Sequence, residues 1–293
     1  MRQESWMKTE IICTDSKPTL STRHYSEIVK DMADLCSELI DKAELTVSDI
    51  SGIGIGSPGT IDNKNGVVVY ANNLGWYDVP LAAELNKYIN VPINIENDAN
   101  AAAYGEFVEC GGDVDSFVAI TLGTGVGGGV IIDRKIYRGF NGAGGELGHT
   151  VLIHGGEPCT CGNDGCWESY ASVTALIRQT KAAIAAHPES IMAKDEKVSG
   201  RTAFNAAKAG DKAGQEVVDK YVASGITNII NIFQPNILVI GGGISKEGDY
   251  LLNPIKEYAK KHSYCKAVAQ TDIRIASLMN DAGIIGAALA CEQ

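Results

Sequence analysis

The sequence is 293 residues long and 45% hydrophobic, enough to bury a sizeable core in one large or two medium domains. A formal net charge of -11 argues against a DNA-binding surface and leaves anions to be held by backbone N–H groups or a metal. No apolar run is long enough for a membrane span, residues 1–12 lack the layout of a signal peptide, and eight cysteines in so large a chain read as reduced thiols of the cytoplasm.

Along the chain, apolar residues at Ile28, Met32, Leu35, Leu39 and Ala43 carry a helical period over residues 25–45, with Ser26 placed to cap it. Residues 50–55 read as a buried strand ending in the turn Gly56-Ser57-Pro58-Gly59, and 66–71 as a second β-rich run. A helix is expected over 80–88 and a strand over 91–96. Asn97-Asp98-Ala99-Asn100 closes that strand, and an Ala-rich helix follows to about residue 108.

Strands at 116–122 and 128–132 flank the loop Gly123-Thr124-Gly125-Val126-Gly127. Residues 139–164 are loop-rich. Helices are expected over 168–185, 202–208, 212–233, 250–261 and 282–290, with strands at 237–240, running into Gly241-Gly242-Gly243, and at 273–276. This alternation predicts an α/β protein with mixed sheets and a ligand cleft between two domains. The boundary is placed near 104–112, giving a small domain 1–108 completed by a helix at 281–293, and a larger one over 109–280.

Four features carry chemistry. Cys159, Cys161 and Cys166 with His149 offer three thiolates and an imidazole, a full tetrahedral set for a structural zinc; the alternative is three reduced cysteines in a loop. Asp98 lies between a strand and a helix, where a carboxylate can take a proton from a substrate hydroxyl or simply cap the helix. The loop at Gly123, Thr124, Gly125 and Gly127 can aim N–H groups at a phosphate, though it lacks a P-loop lysine, and a ligand-free hairpin is the alternative. Glu146 and Glu168 flank the cysteines and could accept hydrogen bonds from sugar hydroxyls; singly, each reads as a surface glutamate.

Taken together, LGTGVGGGVI, GAGGELGH and CTCGNDGCWES, preceded by GIGSPGTID, ANNLGW and NDANAAA, resemble the ROK family of sugar kinases and sugar-responsive repressors. The resemblance runs from about Ile50 to the C-terminus. It implies the two-domain, actin-like ATPase (ribonuclease H-like) fold and ATP-dependent phosphorylation of a hexose, foremost glucose to glucose 6-phosphate. It further implies Asp98 as the base, Asn97, Glu146, His149 and Glu168 as sugar contacts, with Gly59 and Asn72 beside them. ATP phosphates would lie on Gly123 to Gly127 and the adenosine near Gly241 and Gly242, with Mg²⁺ as the nucleotide's metal and Zn²⁺ as a structural ion.

Expected partners are the hexose, ATP and further copies of the chain in a homodimer or homotetramer, without nucleic acid or membrane. A repressor would need an N-terminal helix-turn-helix, for which the start has no room; a catalytically impaired sugar-binding protein is the other alternative. The family's opening Asp-x-Gly-Gly-Thr phosphate loop is missing. Residues 6–13 look like the family's third strand, so an upstream start carrying two more strands is expected.

Overall fold

A computed structural model describes residues 10–218 and 221–292. The predicted strand at 6–13 falls largely outside the described residues, and its described end, Glu10 to Cys13, forms no strand.

The first half contains α1 (Tyr25–Lys42), β1 (Ile53–Ser57), β2 (Thr60–Asp62), β3 (Val67–Ala71), β4 (Trp76–Val79), α2 (Leu81–Leu85), β5 (Ile93–Asn97) and α3 (Asp98–Glu109). The cap of α1 is His24, whose Nδ1 accepts the Ser26 N–H, so Ser26 lies inside the helix. The second half adds β6 (Ser116–Leu122), β7 (Val126–Ile132), β8 (Lys135–Ile136), α4 (Glu168–Ala171), α5 (Val173–Ala186), α6 (Thr202–Lys208), α7 (Lys212–Val218), α8 (Val222–Phe233), β9 (Ile237–Gly241), α9 (Asp249–His262), β10 (Asp272–Ile275) and α10 (Ala282–Leu289).

The chain divides into two compact units, one of Met1–Asp113, Ile136–Gly145 and Asn280–Gln293, the other of Val114–Lys135 and Glu146–Met279. The segment Ile136–Gly145 thus packs with the first unit, a return that no local sequence signal announces.

In the first unit β1 and β5 pair in parallel, Ser57 opposite Asn97, while β2, β3 and β4 form an antiparallel meander. Helices α3 and α10 cross at glycines. A Cβ on Gly286 would fall 1.7 Å from the Ala101 carbonyl, and one on Gly54 would fall 1.9 Å from that of Ala287. Side chains there would force α10 away from α3 and from β1, so small residues fix the seat of α10 and, through Gly286, its contact with the helix that Asp98 begins.

The second unit holds the five-stranded sheet β10-β9-β6-β7-β8, with β9 parallel to β6 and to β10 and β7 antiparallel to β6. Its core gathers Val118, Ile120, Leu122, Trp167, Ile226 and Leu238 between sheet and helices. The helix expected over 168–185 is broken. Ser172 is extended at φ -74°, ψ 162° and caps α5 by accepting the Ala175 N–H.

Candidate functional site

The candidate residues fall into two groups, one in each unit. In the first, β5 delivers Asn97 and Asp98 to the start of α3. Either of these adjacent residues could cap the helix, and the backbone decides between them. Asn97 is extended at φ -62°, ψ 140°, and its Oδ1 accepts the N–H groups of Ala99 and Asn100. Asp98 is therefore the first helical residue and not the cap. Among the described residues its exposed carboxylate meets only the N–H of Ala99, through Oδ1 at 2.9 Å, leaving Oδ2 open.

The Asn97 amide nitrogen donates to the Gly59 carbonyl at 3.1 Å, so one amide hydrogen remains for a ligand. Gly59 itself has φ +97°, and a Cβ there would lie 2.0 Å from the Tyr70 carbonyl oxygen. Only glycine satisfies both conditions. The Tyr70 hydroxyl in turn donates to Asn72 Oδ1 at 3.1 Å. Gly59 and Asn97, chosen from separate stretches of sequence, are thus in direct contact, with Asp98 next to Asn97 and Asn72 beside Tyr70, whose backbone Gly59 approaches.

Sequence reasoning missed the carboxylate beneath them. Glu96 is 1% exposed. Its Oε2 receives Arg138 Nη2 at 2.6 Å, Arg138 Nε at 2.8 Å and Asn63 Nδ2 at 3.2 Å. Its Oε1 accepts the Asn97 N–H at 2.9 Å and Asn100 Nδ2 at 3.2 Å. The available signal was a single charged residue in the sequence Ile93-Asn94-Ile95-Glu96, next to the buried Ile95.

In the second unit, His149 Nδ1 lies 3.6 Å from Cys159 Sγ, and Cys161 Sγ lies 3.7 Å from Cys166 Sγ. All four donor atoms lie within 4.8 Å of one another. A tetrahedral zinc with ordinary bond lengths requires S–S and S–N edges of about 3.8 and 3.6 Å, so the donor set fits that ion. Burial and the neighbouring thiols push Cys166 up to about 12, whereas hydrogen bonding led by the Asn163 backbone holds Cys161 below the usual thiol value.

Trp167 anchors this loop. It is fully buried, donates from Nε1 to the Tyr221 carbonyl at 3.0 Å and lies against Gly225 of α8. The next residue, Glu168, accepts the Val126 N–H at 2.9 Å through Oε2, and its Oε1 is 3.9 Å from Cys159 Sγ. One carboxylate therefore touches both the cysteine cluster and the glycine loop. Glu146 is exposed just before the single 3₁₀ turn Leu147–His149.

The glycine loop is shorter than expected. Strand β7 begins at Val126, which places Gly127 in the ladder opposite Thr121 and leaves Gly123 to Gly125 as the turn. Within it the Gly123 N–H is taken by the Gly125 carbonyl at 3.0 Å, and among the described residues the N–H groups of Thr124 and Gly125 remain available. Two nearby glycines serve packing: a Cβ on Gly128 would strike Leu147 at 2.8 Å, and one on Gly148 would lie 2.0 Å from the Val126 carbonyl. Gly242 has φ +87°, and its Cβ would lie 2.4 Å from the Leu122 carbonyl, bringing Gly241 and Gly242 beside Gly123 at the carboxyl ends of β6 and β9. That edge is where α/β sheets bind ligands.

The whole-chain comparison settles the family. The ROK family model matches residues 7–293. The chain belongs to the ROK family. It is 40% identical to a glucokinase of Halalkalibacterium halodurans over 88% of this chain and 81% of that one. It is also 35% identical to a xylose repressor of Caldicellulosiruptor bescii, over 89% of this chain and 67% of the repressor. Among solved structures, a ROK glucokinase from Streptomyces griseus in complex with glucose and AMPPNP superposes with a TM-score of 0.76 at 32% identity, covering 91% and 88% of the two chains. The fold is accordingly the two-domain, actin-like sugar kinase fold. Among the described residues no helix is long and apolar enough to cross a membrane.

Proposed function

We propose that this ROK protein is a glucokinase-type hexose kinase that transfers the γ-phosphoryl group of ATP to glucose, with Asp98 as general base. The observation that carries the proposal is the open, exposed Oδ2 of Asp98 beside the Asn97–Gly59 contact, at the end of a strand in a chain 40% identical to a glucokinase. Asp98 accepts the hydroxyl proton as the sugar oxygen forms its bond to the γ-phosphorus and the bond to the β,γ-bridging oxygen breaks, leaving ADP.

Asn97, Glu146, Glu168 and the second ring nitrogen of His149 orient the sugar hydroxyls. Thr124 and Gly125 N–H groups, with the Gly241-Gly242 turn, receive the nucleotide. Mg²⁺ bound with ATP supplies neutralisation of phosphate charge. Zn²⁺ on His149, Cys159, Cys161 and Cys166 would fix the loop between Glu146 and Glu168. The likeness to a xylose repressor supports a second reading, a sugar-responsive binding protein.

A coupled ADP assay with ATP and a panel of hexoses tests the proposal. Asp98→Asn should lower kcat by about 10²- to 10⁴-fold while glucose binding by calorimetry stays nearly intact. Turnover within tenfold of the parent (about 1.4 kcal/mol) would sink the base assignment. Loss of sugar binding instead would make Asp98 structural, and no turnover with any hexose would favour the binding protein.

A further inference from the structure

We infer that Glu96, held by Arg138, is a positioning residue for the catalytic end of α3. The inference rests on the reading of Asp98 as the base. Glu96 is buried and carries a charge-assisted contact to Arg138 with two nitrogens on one oxygen. The two oxygens have divided duties. Oε2 faces Arg138 and Asn63, groups from the segment 136–145 and from the turn after β2, whereas Oε1 faces the N–H of Asn97 and the side chain of Asn100.

The Glu96 carboxylate thus sets the backbone of Asn97 directly and the first turn of α3 through Asn100. Asn63 reinforces this by donating from the same nitrogen to the Ile95 carbonyl at 2.5 Å. The Arg138 segment is itself held against the first unit by shape, since a Cβ on Gly142 would lie 2.3 Å from the Ile61 carbonyl oxygen. A carboxylate is required chemically. Every neighbour of both oxygens is a donor, so the amide introduced by Glu96→Gln would turn its NH₂ toward donors in either orientation. Neither Glu96 nor Arg138 touches the open oxygen of Asp98, so any effect on turnover must pass through the placement of Asn97 and Asp98.

The test is a double-mutant cycle with Glu96→Gln and Arg138→Met, read as kcat at saturating hexose and ATP, well below the melting temperature. Each single variant should lower kcat about 10- to 100-fold, the scale of a misplacement near 1 Å, with KM for ATP nearly unchanged. The double variant should be no slower than the worse single one, because the pair acts as one unit. Arg138→Lys, which keeps the charge and one donor, should recover part of the loss and serves if Glu96→Gln does not fold.

A fall in melting temperature with kcat unchanged overturns the inference, and so do losses that multiply in the double variant. Asp98→Asn in the same assay separates the two readings. If it retains turnover, the base assignment and this inference fall together; if it is inactive while Glu96→Gln turns over normally, only this inference falls.

Discussion

Replacing Gly123 by alanine separates a phosphate cradle from a plain hairpin. An added Cβ at Gly123 meets no protein atom within 4 Å, and Gly123 is not among the residues with positive φ. The fold should therefore accept the methyl group at a cost of no more than about 0.5 kcal/mol. If the turn holds phosphate as proposed, the methyl group enters the loop that would cradle it, next in sequence to the N–H groups of Thr124 and Gly125. Losing one hydrogen bond to a charged phosphate costs about 1.5–3 kcal/mol, or about 10- to 100-fold in KM for ATP.

Gly125→Ala supplies the contrast. Its Cβ would lie 2.3 Å from Glu168 Oε2, so the carboxylate must swing away by roughly 1 Å and release the Val126 N–H. That variant should lose about 0.5–1.5 kcal/mol of stability and also raise KM for the sugar. Initial rates with ATP varied at saturating glucose, together with thermal melts, distinguish the two variants. If Gly123→Ala leaves KM for ATP within about twofold of the parent, the turn does not hold phosphate and the cradle reading is refuted.

The second unit supplies two further tests. Cys161→Ser removes one of the four donors of the proposed zinc site and should lower zinc per chain by atomic absorption, lower the melting temperature and raise KM for glucose more than KM for ATP; binding of zinc to the parent should release protons, since burial and the neighbouring thiols favour the protonated Cys166 thiol. Asp211→Ala tests a cap remote from this chemistry: its carboxylate accepts the N–H groups of Gly214 and Ile191, so its loss should cost about 1 kcal/mol and leave kcat unchanged. Those N–H groups hold the Asp211 carboxyl below its ordinary value, so its stabilisation is full above pH 3.8 and is lost as the pH falls through the lowered value, as acid-melting curves of parent and variant should show.

The cysteine loop and the Asp98 region were legible because they combine chemically distinctive side chains in short stretches. What escaped depended on tertiary approach. Strands β2 and β4 are three and four residues long, too short to display a period. Asn97 and Asp98 are equally good caps by composition, and only φ and ψ separate them. Composition placed Gly127 in the cradle with Gly123, Thr124 and Gly125, yet it lies in the ladder opposite Thr121, and the next glycine, Gly128, makes room for Leu147. Glu96 stood out only as a lone charge in a strand, and its role stayed hidden because its partners Asn63 and Arg138 lie 33 and 42 residues away.

The same distinction bears on kinase against regulator. The likenesses to a glucokinase and to a xylose repressor cover 88% and 89% of this chain, so the residues of the site carry the distinction. On the proposed reading, sugar recognition calls on Asn97, Glu146, His149 and Glu168, and recognition alone would have no use for a carboxylate oxygen left open at Asp98 or for the N–H groups of Thr124 and Gly125. In the proposed transfer Asp98 would take the hydroxyl proton and the two N–H groups would stabilise phosphate charge, tasks that a resting hydroxyl does not set. A binder would therefore lose little when Asp98 becomes Asn or Gly123 becomes Ala, whereas a kinase must lose turnover in the first and nucleotide affinity in the second.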